Sequence, residues 1–308
     1  MKKGMTTRFK NFFTILKITA QKWWDRDPFK ESAVIAYYAI FALPGLLVVI
    51  ITLAGYFFGQ EAVNGQITGQ FTAVMGADTA LQIQDIIAKA TQSRNSVWAT
   101  IIGITTILVG ATGVFVEFQK SLNNIWNVQA DVSKSGILSF LKTRLFSFGV
   151  IIAMAFILIL SLVISAALAA LSNLITYYFS TLFLVVLQFF NFIVSLGILA
   201  LLFAVMFKFF PDAKIKWRHV WVGALVTALL FETGKFGLGL YFGQAHPGSG
   251  YGAAGSIILI LLWASYSSMI VFFGAEFTHI YAEKTDGKVA PDEHAVKVAE
   301  VKTKVVKE

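Results

Sequence analysis

Leu182 to Phe207 reads LFLVVLQFFNFIVSLGILALLFAVMF, a run without a single charge, and the stretch after it, KFFPDAKIKWR (208–218), holds four basic side chains. About 20 apolar residues suffice for a helix to cross roughly 30 Å of hydrocarbon. Lysine and arginine collect on the cytoplasmic side of such spans. The stretch therefore reads as a transmembrane helix that ends at the cytoplasmic face. Working outward, five more runs of this kind occur, giving spans at about 32–58, 97–118, 148–171, 182–207, 220–241 and 257–279. The basic residues alternate with them. Of 25 lysines and arginines, 22 fall in the N-terminus, in loops 119–147 and 208–219, and in the C-terminal tail. Loop 172–181 has no charge, loop 242–256 has only His246, and loop 59–96 sets Lys89 and Arg94 against Glu61, Asp78 and Asp85. The expected fold is an all-α polytopic bundle of six transmembrane helices, with both termini cytoplasmic.

Composition supports the same class. Apolar residues make up 57% of the chain and charged residues 14%, and mean hydropathy is +0.72; soluble domains carry about 25% charged residues. The net charge of +8 does not imply nucleic acid, because its carriers sit where anionic cytoplasmic lipids would meet them. Absence of cysteine excludes disulfides, thiolate catalysis and cysteine-held metals. The first apolar run is too long for a signal-peptide core and reads as an uncleaved signal-anchor.

Three regions flank or interrupt the spans. Residues 1–31 form a cytoplasmic segment in which 7–24 is an amphipathic helix. Its stripe is Phe9, Phe12, Phe13, Leu16, Ala20 and Trp23, with Lys10, Lys17 and Lys22 off it. Such a helix lies in the headgroup layer or packs on the cytoplasmic ends of the spans; the interfacial placement is the expectation carried forward. Asp25-Arg26-Asp27-Pro28 ends it. Within the transmembrane domain, 32–283, loop 59–96 shows helical apolar spacing and reads as an extracytoplasmic helical hairpin. The tail, 284–308, is rich in Lys, Glu and Val and reads as disordered.

Glu232 and Lys235 carry the sharpest functional signal. Glu232 lies about 12 residues into span five, hence about 18 Å deep, near the midplane. Lys235 is one turn on and within reach. Charges at that depth cost at least about 2.5–3.5 kcal/mol each and mark pathways for substrate, ion or proton; the competing reading is a neutralised pair that fixes packing. Gly223, Gly234, Gly237, Gly239 and Gly243 crowd the same span, and Gly239 to Gly243 has GxxxG spacing. The segment 246–252, HPGSGYG, is either an outer gate or a turn. At the cytoplasmic face Glu117 and Glu276 close spans two and six, with Asn123, Asn124, Trp126, His279, Tyr37 and Tyr38 at similar depth. Together they would line a polar mouth, or anchor the interface. Pro44-Gly45, mid-span one, is a hinge or a static bend.

Ala36-Tyr37-Tyr38 leading to Leu43-Pro44, the Leu122-Asn123-Asn124-Ile125-Trp126 segment, and Gly274-Ala275-Glu276 resemble the YihY/BrkB family of bacterial inner-membrane proteins over about residues 15–285. The resemblance implies a six-helix membrane protein. Family members have carried the label ribonuclease BN, or are linked to serum resistance or to lipid and envelope transport, with no agreed catalytic residues. Metal-dependent RNA cleavage needs clustered His and carboxylate ligands. The four histidines, His219, His246, His279 and His294, form no H-x-H or H-x-x-x-H pair, so an RNA-cleaving enzyme is not expected. No GxxxxGK[ST] motif occurs and no cofactor is implied. The leading expectation is a transporter of lipid or another amphiphile, with anionic phospholipid as partner. Glu232 and Lys235 would form its site, and Glu117 and Glu276 its cytoplasmic end. The alternatives are an ion- or proton-coupled carrier of a small solute and a scaffold for an envelope-assembly protein.

Overall fold

The computed structural model describes residues 2–59, 97–130 and 181–298, and positions 61, 64, 65, 68, 69, 72, 81 and 84. Six long helices run through them: α1 (Lys2–Asp25), α2 (Pro28–Phe58), α3 (Val97–Ile125), α4 (Thr181–Phe209), α5 (Trp217–Ala245) and α6 (Gly255–Asp286). Every expected span except the third coincides with one of α2 to α6; the third, 148–171, lies outside the described residues. Among those residues, Phe189–Phe209, Trp217–Ala245 and Ile257–Asp286 are long and apolar enough to cross a membrane. The chain is a mostly helical membrane protein, in which each helix satisfies its own backbone groups as hydrocarbon requires. Most of the expected hairpin also lies outside the described residues. Its described positions 61, 64, 65, 68, 69, 72, 81 and 84 are helical, and Gln84 Nε2 donates to Thr68 Oγ1 at 2.6 Å.

The α1–α2 corner follows from its sequence. Asp27 takes a left-handed φ of 51°, which Asp tolerates better than most residues. Pro28 then occupies the first position of α2, where its missing N–H costs nothing. The Asp27 carbonyl accepts from the amides of Lys30 and Glu31 at 3.0 and 3.2 Å. Helix α2 continues through Pro44-Gly45 without a break.

Helices α5 and α6 cross through a reciprocal pair of Gly-x-x-x-Thr segments. A β-carbon on Gly223 would overlap Thr278 Oγ1, and one on Gly274 would overlap Thr227 Oγ1. Each threonine hydroxyl donates to the carbonyl of the glycine on its own helix, Thr227 to Gly223 and Thr278 to Gly274, both at 2.7 Å. Small residues thus bring the two axes together while the hydroxyls stay satisfied. Of the span-five glycines, Gly237 and Gly243 meet nothing among the described residues, whereas Gly223 meets Thr278 and Gly234 meets Tyr266 and Ile270 of α6. Segment 246–252 is a turn leading into a 3₁₀ helix, Ser249–Ala254, in which the Gly248 and Gly255 backbones touch.

The aromatic core gathers at one end of the bundle. Phe115, Phe118, Phe207, Phe210, Phe272 and Trp126 are buried together. At this end α1 packs against α6 through part of its apolar stripe, together with residues next to the stripe. Phe12 meets Phe277 edge-on, and Leu16 packs beside Phe277 and Ile280. Ile15 and Thr19 are buried, with Trp23 packed on Phe273, whereas Phe13 and Ala20 are exposed. The Thr19 hydroxyl is satisfied by the Ile15 carbonyl at 2.8 Å, which lets a polar residue sit in the interface.

The expectation of a disordered tail fails over residues 287–298. β1 (Val128–Ala130) pairs antiparallel with β2 (Ala295–Lys297), Val128 opposite Lys297 and Ala130 opposite Ala295. Pro291 bridges to Ala213, and the Asp292 amide donates to the Asp212 carbonyl at 2.9 Å. Backbone pairing holds this strap to two loops, so its polar composition carried little sign of order.

Candidate functional site

The polar end is organised by Arg26, which the sequence marked only as part of a helix stop. Helix α3 ends at Ile125 with carbonyls that lack intrahelical donors. Arg26 Nη1 donates to the Asn124 carbonyl at 2.8 Å and to its Oδ1 at 3.3 Å. Nη2 donates to the Ile125 carbonyl at 3.3 Å and to Asn127 Oδ1 at 3.4 Å. Nε reaches Glu276 Oε2 on α6 at 2.9 Å. A guanidinium has five N–H donors in a planar fork, and five acceptors meet them. The cation also sits against the negative end of the α3 dipole.

Glu276 is 0% exposed, and its second oxygen, Oε1, has no hydrogen-bond partner. Oε1 faces His279 Nδ1 at 3.6 Å, and His279 Nε2 lies 3.4 Å from Glu283 Oε1. The Trp126 ring packs against the imidazole with centroids 4.9 Å apart. A small recess beside this group is lined by Trp23, Arg26, Glu31, Ser121, Asn124 and Glu276, among others. Glu31 Oε2 accepts from Ser121 Oγ there at 2.6 Å.

A second clamp lies alongside. Asn123 Nδ2 donates to Asp212 Oδ2 at 2.7 Å, while Asn123 Oδ1 accepts from the Asp212 amide at 2.7 Å. Gln119 Nε2 reaches Asp212 Oδ1 at 3.4 Å. Burial pushes the Asp212 carboxyl above the ordinary aspartate range; the Asn123 hydrogen bond opposes this and the charge of Asp292 adds to it. A group whose pKa is raised on folding holds its proton more tightly folded than unfolded. Stability should therefore increase as pH falls through the folded pKa toward about 4, the unfolded value. Melting of wild type and Asp212→Asn over that range checks this. The difference should move in favour of wild type as pH falls, and a pH-independent difference would contradict it.

The remaining expected mouth residues separate. Glu117 pairs with Lys120 on the same helix at 3.5 Å, away from Arg26. Tyr37 is exposed and meets Tyr38 and Phe41 edge-on, and the Tyr38 ring covers Gly113. Thus Asn124, Trp126, Glu276 and His279 come together, Asn123 joins the neighbouring clamp, and Glu117, Tyr37 and Tyr38 stand apart. Asp286, at the end of α6, holds the start of α5. It engages Arg218, and it meets Lys216 Nζ and the buried His219 Nε2 at 2.9 Å each. Arg26, Asp212 and Asp286 were not singled out from sequence; their partners lie on other elements.

Mid-helix in α5, Glu232 Oε2 and Lys235 Nζ are 2.7 Å apart, with side chains 15% and 37% exposed. Glu232 is the sixteenth residue of a 29-residue helix, about 22 Å from its start at 1.5 Å per residue. Leu225, Leu229, Phe236 and Leu240 are exposed on the same helical stripe, Leu229 to 50% and Phe236 to 70%. The charged pair therefore lies at the border between this apolar, outward-facing surface and the packed face of α5. Among the described residues no group of three or more His, Cys, Asp or Glu could hold a metal.

Comparison with known proteins gives a family. The family described as Virulence factor BrkB matches residues 19–299. A UPF0761 membrane protein of Pseudoalteromonas atlantica is 28% identical over 253 residues, covering 80% of this chain and 78% of its own length. One from Alteromonas mediterranea is 28% identical over 271 residues, covering 85% and 84%. No solved structure matches the chain. The chain belongs to the BrkB/YihY family of membrane proteins.

Proposed function

We propose that this protein moves an amphiphile, with anionic phospholipid as the leading substrate, between the leaflets of a bacterial inner membrane. It does so as a six-span bundle with both termini cytoplasmic. One observation carries the reading: the Glu232–Lys235 pair sits mid-helix where the outward-facing apolar stripe of α5 meets its packed face, Glu232 mostly buried and Lys235 partly exposed. A bundle-interior pair would suit a solute path. A charged pair at the edge of exposed leucines and a phenylalanine suits a molecule whose headgroup needs polar partners while its chains stay in hydrocarbon. Lys235 offers a cation to a phosphate and Glu232 holds that cation when no headgroup is there. The pair also removes the cost of leaving either charge alone at this depth.

Reconstitution into phosphatidylcholine liposomes doped with fluorescent phosphatidylglycerol tests the proposal. Wild type should expose inner-leaflet probe to an external quencher faster than protein-free liposomes, and Glu232→Gln or Lys235→Met should bring the rate back to that baseline. No flipping by folded wild type, or flipping indifferent to both substitutions, would overturn it.

A further inference from the structure

We infer that the lipid headgroup layer descends along α1 to the α1–α2 corner, so that on this flank it reaches the height of Glu232 and Lys235. The heights follow from contacts with α6. Gly223 faces Thr278 and Thr227 faces Gly274, so α5 and α6 run antiparallel, four residues on one matching four on the other. Glu232, five residues past Thr227, then stands opposite Met269, five before Gly274. The contacts of Gly234 with Tyr266 and Ile270 agree. Trp23 Nε1 donates to the Met269 carbonyl at 3.2 Å. Ser32 Oγ and Ser265 Oγ lie 3.0 Å apart, and Ser265 is one helical turn, about 6 Å, from Met269. Trp23 and Ser32, the two flanks of the corner, are thereby fixed within about one turn of the height of Glu232.

At the polar end α5 extends much farther. Trp217 and Trp221, 44% and 41% exposed, are side chains of the kind that sits at the headgroup level. Glu232 lies about 22 and 16 Å beyond them along the helix. Helix α1 fills this difference by leaning on α6, with Trp23 at Met269 and Phe273, and Phe12 and Ile15 at Phe277. The side of α1 turned away from α6 is polar along Lys17, Gln21 and Asp25, all exposed and one turn apart. Asp27 and Lys30, also exposed, continue this polar surface at the corner. A bilayer of constant thickness would set these charges in hydrocarbon at the depth of Glu232, where they are strongly unfavourable. A bilayer thinned on this flank leaves them at its surface, and thinning costs little per ångström. Headgroups, rather than water alone, fit the corner. Trp24 and Phe29 are 63% and 59% exposed beside the charges, with ring centroids 5.9 Å apart. Aromatic rings mixed with charges belong at the headgroup level.

The inference goes beyond the proposed transport and does not require it. If a lipid is moved, a headgroup drawn down α1 starts at the height of the pair, and only the far part of the bilayer remains to be crossed. The chain has no cysteine, so single cysteines carry spin labels without background. Lys30→Cys reports on the corner. Leu229→Cys and Phe236→Cys report on the exposed stripe of α5 on either side of the height of Glu232. Labelled full-length protein in phosphatidylcholine–phosphatidylglycerol bilayers would be studied by power-saturation EPR. The relaxants are dissolved oxygen, a soluble nickel chelate and a lipid that carries nickel on its headgroup. The label at position 30 should respond to both nickel forms, with a nickel-to-oxygen ratio severalfold above that of the α5 labels. A label at position 30 relaxed mainly by oxygen would overturn the inference. So would a response to the soluble chelate without one to the headgroup nickel, which means a recess filled with water alone. Equal ratios at all positions would also overturn it, because the bundle would then sit shifted in a flat bilayer. If Lys30→Cys does not fold, Gln21→Cys on the same polar surface takes its place. These readings are independent of whether lipid flips, so a failure here is distinct from a failure of the transport assay.

Discussion

Arg26→Ala is expected to destabilise the protein by about 3–5 kcal/mol, the range for breaking a buried ion pair from one side. Glu276 is wholly buried and Arg26 Nε is its charged partner at 2.9 Å. Without the guanidinium a carboxylate is left in the core uncompensated. The carbonyls of Asn124 and Ile125 lose their donor at the same time. Removing both charges should cost less than removing one, because the uncompensated carboxylate is the larger part of the penalty. Arg26→Ala combined with Glu276→Gln should therefore be more stable than Arg26→Ala alone. Denaturant unfolding in detergent, followed by circular dichroism, measures both. Glu117→Ala serves as contrast: its Lys120 partner is largely solvent-exposed, and such pairs contribute about 1 kcal/mol or less. A double variant as unstable as Arg26→Ala would show that the tie is worth no more than its backbone caps.

At the α5–α6 crossing, Gly223→Ala should cost about 1–3 kcal/mol, the usual penalty for inserting a methyl where there is no space. The overlap would fall on Thr278 Oγ1, which is buried and already committed to the Gly274 carbonyl. The threonine cannot turn aside without losing that bond. Trimming it makes room, so Thr278→Ala should partly restore Gly223→Ala, and the two changes should be non-additive. Gly237→Ala meets nothing among the described residues and should cost nothing comparable. Thermal melts of the four variants check this. Additive losses at 223 and 278 would mean the helices are not in contact there.

What was legible in the sequence is what depends on neighbours along the chain. A long uncharged run followed by clustered lysines fixes a helix and its position, and α4 and α5 lie where 182–207 and 220–241 read them. The pairing of Glu232 with Lys235 was legible for the same reason, since three residues on a helix set the distance. Arg26 and Glu276 are 250 residues apart, and Asn123 and Asp212 are 89 apart. Nothing local to either partner marks such a pair. For α1, the apolar stripe was read as lying in the headgroup layer, whereas Phe12, Leu16 and Trp23 of that stripe pack on α6. The contact also includes Thr19, whose hydroxyl bonds within its own helix and so behaves as a small apolar residue. Spacing alone did not say which glycines of α5 meet a neighbour, because close approach occurs only where a partner helix lies, and α6 meets α5 at Gly223 and Gly234. The strap at 287–298 is held by main-chain pairing to loops, which composition does not encode.

The central claim, that a lipid headgroup visits Glu232 and Lys235, is tested most directly by photo-crosslinking. A phosphatidylglycerol with a photoreactive group on its headgroup would be added to the protein in bilayers, irradiated, and the adduct mapped by mass spectrometry. The account predicts adducts on α5 near Leu229 to Phe236, about 22 Å from the start of the helix, and their loss in Lys235→Met. Adducts confined to the ends of the helices, unchanged by Lys235→Met, would contradict it, because the headgroup would then never leave the interface.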